Sequence, residues 1–320
     1  MKVTGYMIPT PNIHASTITL GTRGSALARW QTDWVSVRLA SVRPGLERQI
    51  KFFATSGDRT QSVDKPLPEI GGKGLFTEEL ESALRAGEID LAVHSLKDLP
   101  IQDAPGLVTG AISAREDAHD VLISRDGYTL RTLPPNARVG TSSLRRAAQL
   151  LAARPDLTPL SLRGNVDTRV RKAMNGEYDA IVLAAAGVIR LGLQNHITVR
   201  LSFEEMLPAP GQGAMAVQCR AGDTATRELL SVIDDPATRA AVTAERAFLE
   251  ALGGGCSAPV AAYAESLLRN QQPQLQMTGL AASLDGRRVI RVTGEGADPF
   301  ALGNRLAEQA LARGAEELLN

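Results

Sequence analysis

Apolar positions along the chain change period repeatedly, between the two-residue repeat of a strand and the three-to-four-residue repeat of a helix. "STITLGT" (16–22) alternates as a strand, and "SALARWQTDWVSVRLASV" (25–42) then sets Leu27, Trp30, Trp34 and Val37 at helical spacing on one face. "RQIKFFATSG" (48–57) reads as a second strand, and "KGLFTEELESALRAG" (73–87) as a helix stopped by Gly87. "DLAVHSLKDLP" (90–100) begins as a buried strand but ends in His94, Ser95, Lys97 and Asp98 before Pro100. A turn needs only Gly, Asn or Pro, so this cluster is either a solvated exit loop or a site. Strands alternating with helices imply a parallel sheet.

The pattern then partly repeats. "LGTRGSALARWQ" (20–31) resembles "VGTSSLRRAAQL" (139–150), and "GEIDLAVHS" (87–95) resembles "GEYDAIVLA" (176–184), in the same order. Two related α/β domains are expected. After "LPAPGQGAMAVQCR" (207–220) the character changes: Asp235-Pro236 opens a helix as N-cap and first helical residue. That helix runs to "GGGCSAP". Two strands around the hairpin signal Asp285-Gly286 and a last helix complete a small α+β domain. The expected domains are 16–114 plus 213–232, 115–212, and 233–320.

At 320 residues the chain is long enough for two or three domains. Lys+Arg of 35 against Asp+Glu of 35 gives no net field that would steer it to nucleic acid or an anionic membrane. Arginine dominates the cations, and its planar fork suits bidentate capture of carboxylate or phosphate. No apolar run is long enough to span a membrane. The first residues, to about 15, have no continuous apolar stretch and read as a loose extension. With two cysteines, Cys219 and Cys256, no disulfide framework is expected, and the setting reads as cytosolic and reducing.

In parallel sheets, ligands gather at the carboxyl ends of strands. There the sequence places Arg23 with Ser25, the 94–98 cluster, Thr141, Ser142 and Ser143 with Arg145 and Arg146, Arg163 with Gly164, and Arg190, with Lys73 nearby. Arg145 and Arg146 fall in a first helical turn, where cations oppose the helix dipole, so an anion is expected beside them. The implied ligand carries several carboxylates or phosphates. "GGKG" (71–74) lacks P-loop spacing and reads as a lid or backbone nest. The four histidines are scattered and no cysteine pair has ligand spacing, so no metal is expected. His94 and Cys219 read as core residues. Cys256 follows three glycines that can present its sulfur, and is either a covalent attachment point or an inert loop thiol. Asp98, among cations, suits a carboxylate that bonds N–H groups, stabilises positive charge or relays protons.

Together "GTRGSALA", "GGKGLFTEELE", "DLAVHSLKDLP", "GTSSLRRAAQL", "SLRGNVDTRV", "PGQGAMAVQCR" and "GGGCSAPV" resemble, in order and spacing, the porphobilinogen deaminase (hydroxymethylbilane synthase) family, from about Thr19 to the C-terminus. The resemblance implies two domains similar to type 2 periplasmic binding proteins, with the site in the cleft between them, and a smaller α+β third domain. It implies a transferase that joins four porphobilinogen molecules into linear hydroxymethylbilane with loss of ammonia. A dipyrromethane cofactor on a thioether to Cys256 would be the primer, and Asp98 the catalytic carboxylate. Arg23, Lys97, Arg145, Arg146, Arg163, Arg169 and Arg190 would pair with acetate and propionate groups. Ser25, Ser95 and Thr141 to Ser143 would add hydrogen bonds, and Lys73 would lie over the cleft. A monomeric cytoplasmic enzyme is expected. One departure is Glu69, where family members often have lysine. The rival reading, a two-lobed solute-binding protein, has no use for a third domain with a glycine-cradled cysteine. A ligand-sensing regulator would need a helix-turn-helix, and an acyl-transfer enzyme a histidine partner for Cys256.

Overall fold

A computed structural model of the chain describes residues 17–59, 77–254, 258–269 and 272–319. It runs through β1 (Thr17–Arg23), α1 (Ala26–Val42), β2 (Glu47–Phe53), α2 (Glu78–Arg85), β3 (Leu91–Ser95) and β4 (Leu107–Ile112). It then crosses into a second unit of β5 (Asp120–Ile123), β6 (Arg138–Gly140), α3 (Leu144–Ala153), β7 (Thr158–Leu160), α4 (Val166–Met174), β8 (Ala180–Ala184), α5 (Ala185–Arg190) and β9 (Val199–Arg200). It returns to the first unit as β10 (Met215–Arg220) and α6 (Thr224–Leu230).

The two sheets share one strand order, β2-β1-β3-β10-β4 and β7-β6-β8-β5-β9. The repeated sequence motifs occupy matching places, β1–α1 against β6–α3 and β3 against β8. In each sheet the first three strands are parallel, whereas β10 and β5 run antiparallel to both neighbours. The all-parallel expectation is thereby corrected: the fourth strand of each sheet follows a crossing between units, so it enters from the opposite end. Strand periodicity sets the second core. Val121, Ile123, Ile181 and Leu183 face one helix layer, while Leu122 and Val182 face the other.

Helix α1 buries Ala28, Gln31, Thr32, Val35 and Leu39, one position round from the expected stripe, and leaves Val37 67% exposed. Polar anchors fix that rotation. Thr22 Oγ1 donates to the Ala28 carbonyl at 3.1 Å, and Gln31 Nε2 donates to Ser95 Oγ at 2.9 Å. Trp30 and Trp34 are left at the flanks, beneath Arg190 and Arg38 at 5.6 and 5.5 Å.

The third unit contains α7 (Pro236–Ala251), β11 (Val260–Arg269), β12 (Gln272–Ala282), β13 (Val289–Gly296) and α8 (Pro299–Ala312). Asp235 caps α7 as expected, accepting the Thr238 N–H at 2.7 Å, with Pro236 in the first turn. Its sheet has three strands among the described residues, where two were expected; β11 follows the glycine run and pairs with β12 along its whole length. Helices α7 and α8 bury Phe248, Leu302 and Leu306 against Val260, Met277 and Val292. The units meet at Arg115, on the first crossing, whose guanidinium grips the fully buried Glu245 of α7 at 2.5 and 3.2 Å and donates to the Gln212 carbonyl at 2.8 Å. Glu245 also accepts the N–H groups of Gly211 and Ala264, so this buried carboxylate is well satisfied.

Candidate active site

The cluster that interrupted the third strand forms one turn of 3-10 helix, Leu96–Asp98. Such a turn repeats every three residues, so Leu96 and Leu99 fall on the same side, and both are buried. Lys97 and Asp98 project from the other side, with Asp98 exposed. From the third unit Arg246 clamps the turn, donating to the carbonyls of Leu96, Leu99, Pro100 and Ile101 at 2.5 to 3.4 Å. The catalytic-looking turn is therefore held by a helix about 150 residues away in the chain.

Across the domain crossing, Ser143 caps α3 by accepting the Arg146 N–H at 3.4 Å. The first turn of that helix then presents Arg145 and Arg146, both nearly buried. An anion was expected beside them, and the structure supplies it from the chain itself. Asp120, wholly buried at the start of β5, pairs with Arg145 at 2.8 Å and with Arg146 at 2.7 and 3.1 Å. Burial opposes ionisation of Asp120, but the two guanidiniums outweigh it and hold the carboxyl well below the usual range. A bound ligand is therefore not needed to explain why two arginines open this helix. Sequence reasoning missed Asp120; its signal was an acid standing directly before the apolar run "VLI".

Lys97, Asp98, Arg145, Arg146, Arg163 and Arg169 come together around this point. Burial, then the charge of Arg146, lowers Lys97 to about 8, against the pull of Asp98 and Asp120. Burial, then Arg146 and Arg163, lowers Arg169 to about 10, against the pull of Asp98. Arg145 is lowered by burial as well. In all three groups burial is the main cause, and the neighbouring guanidiniums act in the same direction.

The other expected residues fall in two groups. Ser142 Oγ accepts the Leu162 N–H at 3.0 Å and lies 2.9 Å from the Leu162 carbonyl, tying the loop after β6 to the loop carrying Arg163 and Gly164. Arg169 donates to the Gly164 carbonyl at 2.7 Å, and Thr141 Oγ1 accepts the Ser143 N–H at 3.2 Å. Ser25 caps α1, Ser95 is held by Gln31, and Arg23, at the end of β1, acts through its charge on His94 in the neighbouring β3. Arg190 is buried, donates to the Gly213 carbonyl at 2.7 Å, and keeps an Nε with no partner among the described residues. His94 is buried, and burial with Arg23 lowers it to about 4, so it is a neutral core imidazole. Cys219 is a core thiol pushed up to about 11 by burial. Lys73, Cys256 and Glu69 lie outside the described residues. A cavity between the three units is lined by Lys97, Ser143, Arg145, Arg246, Ala258 and Val260.

Among the described residues no group of three or more His, Cys, Asp or Glu could hold a metal ion. None of their helices is long and apolar enough to cross a membrane.

Two family models match the chain: porphobilinogen deaminase, dipyromethane cofactor binding domain, over residues 18–228, and porphobilinogen deaminase, C-terminal domain, over residues 239–312. Porphobilinogen deaminase of Roseiflexus castenholzii is 50% identical over 305 residues, covering 95% of this chain and 99% of its own. That of Moorella thermoacetica is 51% identical over 304 residues, covering 94% and 95%. Among solved structures, the periplasmic VFT2 domain of Bordetella pertussis BvgS overlaps 68% of this chain and 86% of its own at 17% identity and a TM-score of 0.40, too distant to carry weight. With both family models matched in order and half of all positions shared with full-length relatives, the chain belongs to the porphobilinogen deaminase family, the transferases of tetrapyrrole synthesis that use a dipyrromethane cofactor.

Proposed function

We propose that Asp98, with the cations around it, is the reaction centre of this porphobilinogen deaminase, and that Cys256 carries the dipyrromethane cofactor through a thioether. The observation that carries this reading is the convergence of Lys97, Arg145, Arg146, Arg163 and Arg169 around Asp98, an exposed carboxylate on a turn held from the third unit. The residues fit the cofactor: its acetate and propionate groups suit a cluster of guanidiniums, and one of them could meet the buried Nε of Arg190, which has no partner among the described residues. When bound, the dipyrromethane supplies the pyrrole carbon to which porphobilinogen units are added, with ammonia lost and the linear tetrapyrrole finally released.

The chain's own work is electrostatic. Asp98 accepts pyrrole N–H groups and stabilises positive charge that develops beside it, with a strength that exclusion of water increases. Arg23, Lys97, Arg145, Arg146, Arg163, Arg169 and Arg190 hold ligand carboxylates, assisted by Ser25, Ser95, Thr141, Ser142, Ser143 and the Gly164 backbone, with Lys73 a further candidate contact. The same reading divides the chain at 114/115, 212/213 and 232/233, and takes the enzyme as a cytoplasmic monomer. The alternative of a solute-binding protein without catalysis is disfavoured by the family match over residues 239–312.

Two measurements bear on it. Intact-protein mass spectrometry is expected to show mass beyond the polypeptide in the wild type and none in Cys256→Ser; an active wild type of unmodified mass overturns the attachment. Lys97 loses its charge as pH rises through about 8, so kcat/KM is expected to fall on the alkaline side from there. The limb in kcat should lie higher, because a bound carboxylate favours the ammonium form. Replacing Lys97 with arginine, which stays charged, should remove the limb; a limb unchanged in Lys97→Arg assigns it to another group.

A further inference from the structure

Gln212 sits in the second crossing between the two α/β units, inside a Gly-Gln-Gly stretch. Both glycines have positive φ, 75° and 93°. A side chain at Gly211 would press on Leu96 at 3.0 Å, and one at Gly213 would strike the Glu116 carbonyl at 2.3 Å. The crossing strand is therefore packed directly between the turn that carries Lys97 and Asp98 and the first crossing strand.

Gln212 is fully buried, and both ends of its side-chain amide are occupied. Its Oε1 accepts from Lys97 Nζ at 3.1 Å. Its Nε2 donates to Asp120 Oδ1 at 2.9 Å and to the Ala118 carbonyl at 2.8 Å. One neutral amide thus joins the cation of the first unit to the carboxylate that organises Arg145 and Arg146 in the second. Each end meets the charge that its own dipole favours, acceptor to ammonium and donor to carboxylate, and this polarity makes the contact directional.

We infer that Gln212 is a positioning residue for the deaminase reaction: its side-chain amide sets Lys97 and Asp98 in register with Asp120, Arg145 and Arg146 across the domain crossing. The inference rests on the reading of Asp98 and its cations given above. An error of about 1 Å between these groups costs on the order of a hundredfold in rate even where every group is present. Leucine at this position fills the space without either hydrogen bond. Glutamate keeps the acceptor for Lys97 but turns the donor facing Asp120 into a repelling charge.

The test uses the cofactor-loaded enzyme, with loading checked by intact mass, and compares Gln212→Leu and Gln212→Glu with the wild type in kcat, KM and pH profile. Both variants are expected to lose about 10- to 100-fold in kcat, with KM changed less. The alkaline limb should move to lower pH in Gln212→Leu, where the Lys97 ammonium loses the Gln212 acceptor, and to higher pH in Gln212→Glu, where it gains a carboxylate. Among the described residues the charges acting on Lys97 include Arg145, Arg146, Asp98 and Asp120, and neither variant alters them. A space-filling role would leave the limb where it is. Double-mutant cycles of Gln212→Leu with Lys97→Met and with Asp120→Asn complete the test, read in both kcat/KM and unfolding. Coupling of at least about fivefold in each cycle is expected, and additive effects together with an unmoved limb overturn the inference. Should Lys97→Met leave turnover unchanged, the Lys97 reading fails, while coupling in unfolding still decides whether the amide joins the two units.

Discussion

Asp98→Asn is expected to reduce kcat by about a hundred- to a thousandfold, the loss typical of removing one group aimed at a developing charge. The substitution keeps the size and one acceptor oxygen but deletes the negative charge that acts on Lys97 and Arg169. Because Asp98 is exposed and its turn is held by Leu96, Leu99 and Arg246, the fold has little reason to change. The unfolding midpoint should stay within about 2 °C of the wild type, as for surface substitutions generally. Steady-state turnover of porphobilinogen, with a thermal melt on the same samples, measures both. Turnover within about threefold of normal, far from the loss expected for such a group, would remove Asp98 from the mechanism. A large fall in melting temperature would move its role to the fold.

Asp120→Asn should have the opposite signature, a large loss of stability. It leaves Arg145 and Arg146 buried with no carboxylate between them, and breaking a buried pair from one side costs about 3–5 kcal/mol. A midpoint lower by roughly 10 °C follows for a chain of this size. The sign of the pH effect is fixed by the direction of the shift. Because the folded carboxyl is held below its ordinary range, its contribution is complete above the unfolded value near ~4 and is lost as pH falls below it. The gap between wild type and Asp120→Asn in urea melts should accordingly be widest at neutral pH and narrow in acid. An equal gap at neutral and acid pH would show that the ion pair is not the source of the loss.

Some of the residues that the fold gathers around Asp98 were legible before any fold was known, for a definite reason. Cations in a helix first turn oppose the helix dipole, so Arg145 and Arg146 stood out against their neighbours. The turn at 96–99 stood out because a buried strand does not ordinarily end in Lys-Asp. The partners that make sense of those residues were not legible. Asp120, Glu245 and Arg246 look like ordinary charged residues in their own segments, and Gln212 like part of a glycine-rich turn. The face of α1 was misjudged for a related reason: hydrophobic spacing chose Leu27, Trp30, Trp34 and Val37, while hydrogen bonds from Thr22 and Gln31 turned the helix to bury Ala28, Val35 and Leu39.

Local pattern alone determined that this chain builds two similar α/β units and an α+β unit, because strand and helix periods and capping residues act over a few neighbouring positions. It also marked where cations collect. Only the tertiary structure decided which charges are paired within the chain and with which partner. Asp120 meets Arg146, Gln212 meets Lys97 and Arg246 meets the turn at Asp98 only after the chain has crossed between units and returned. The electrostatic state of a buried group depends on everything within a few ångströms of it, whatever the distance along the sequence.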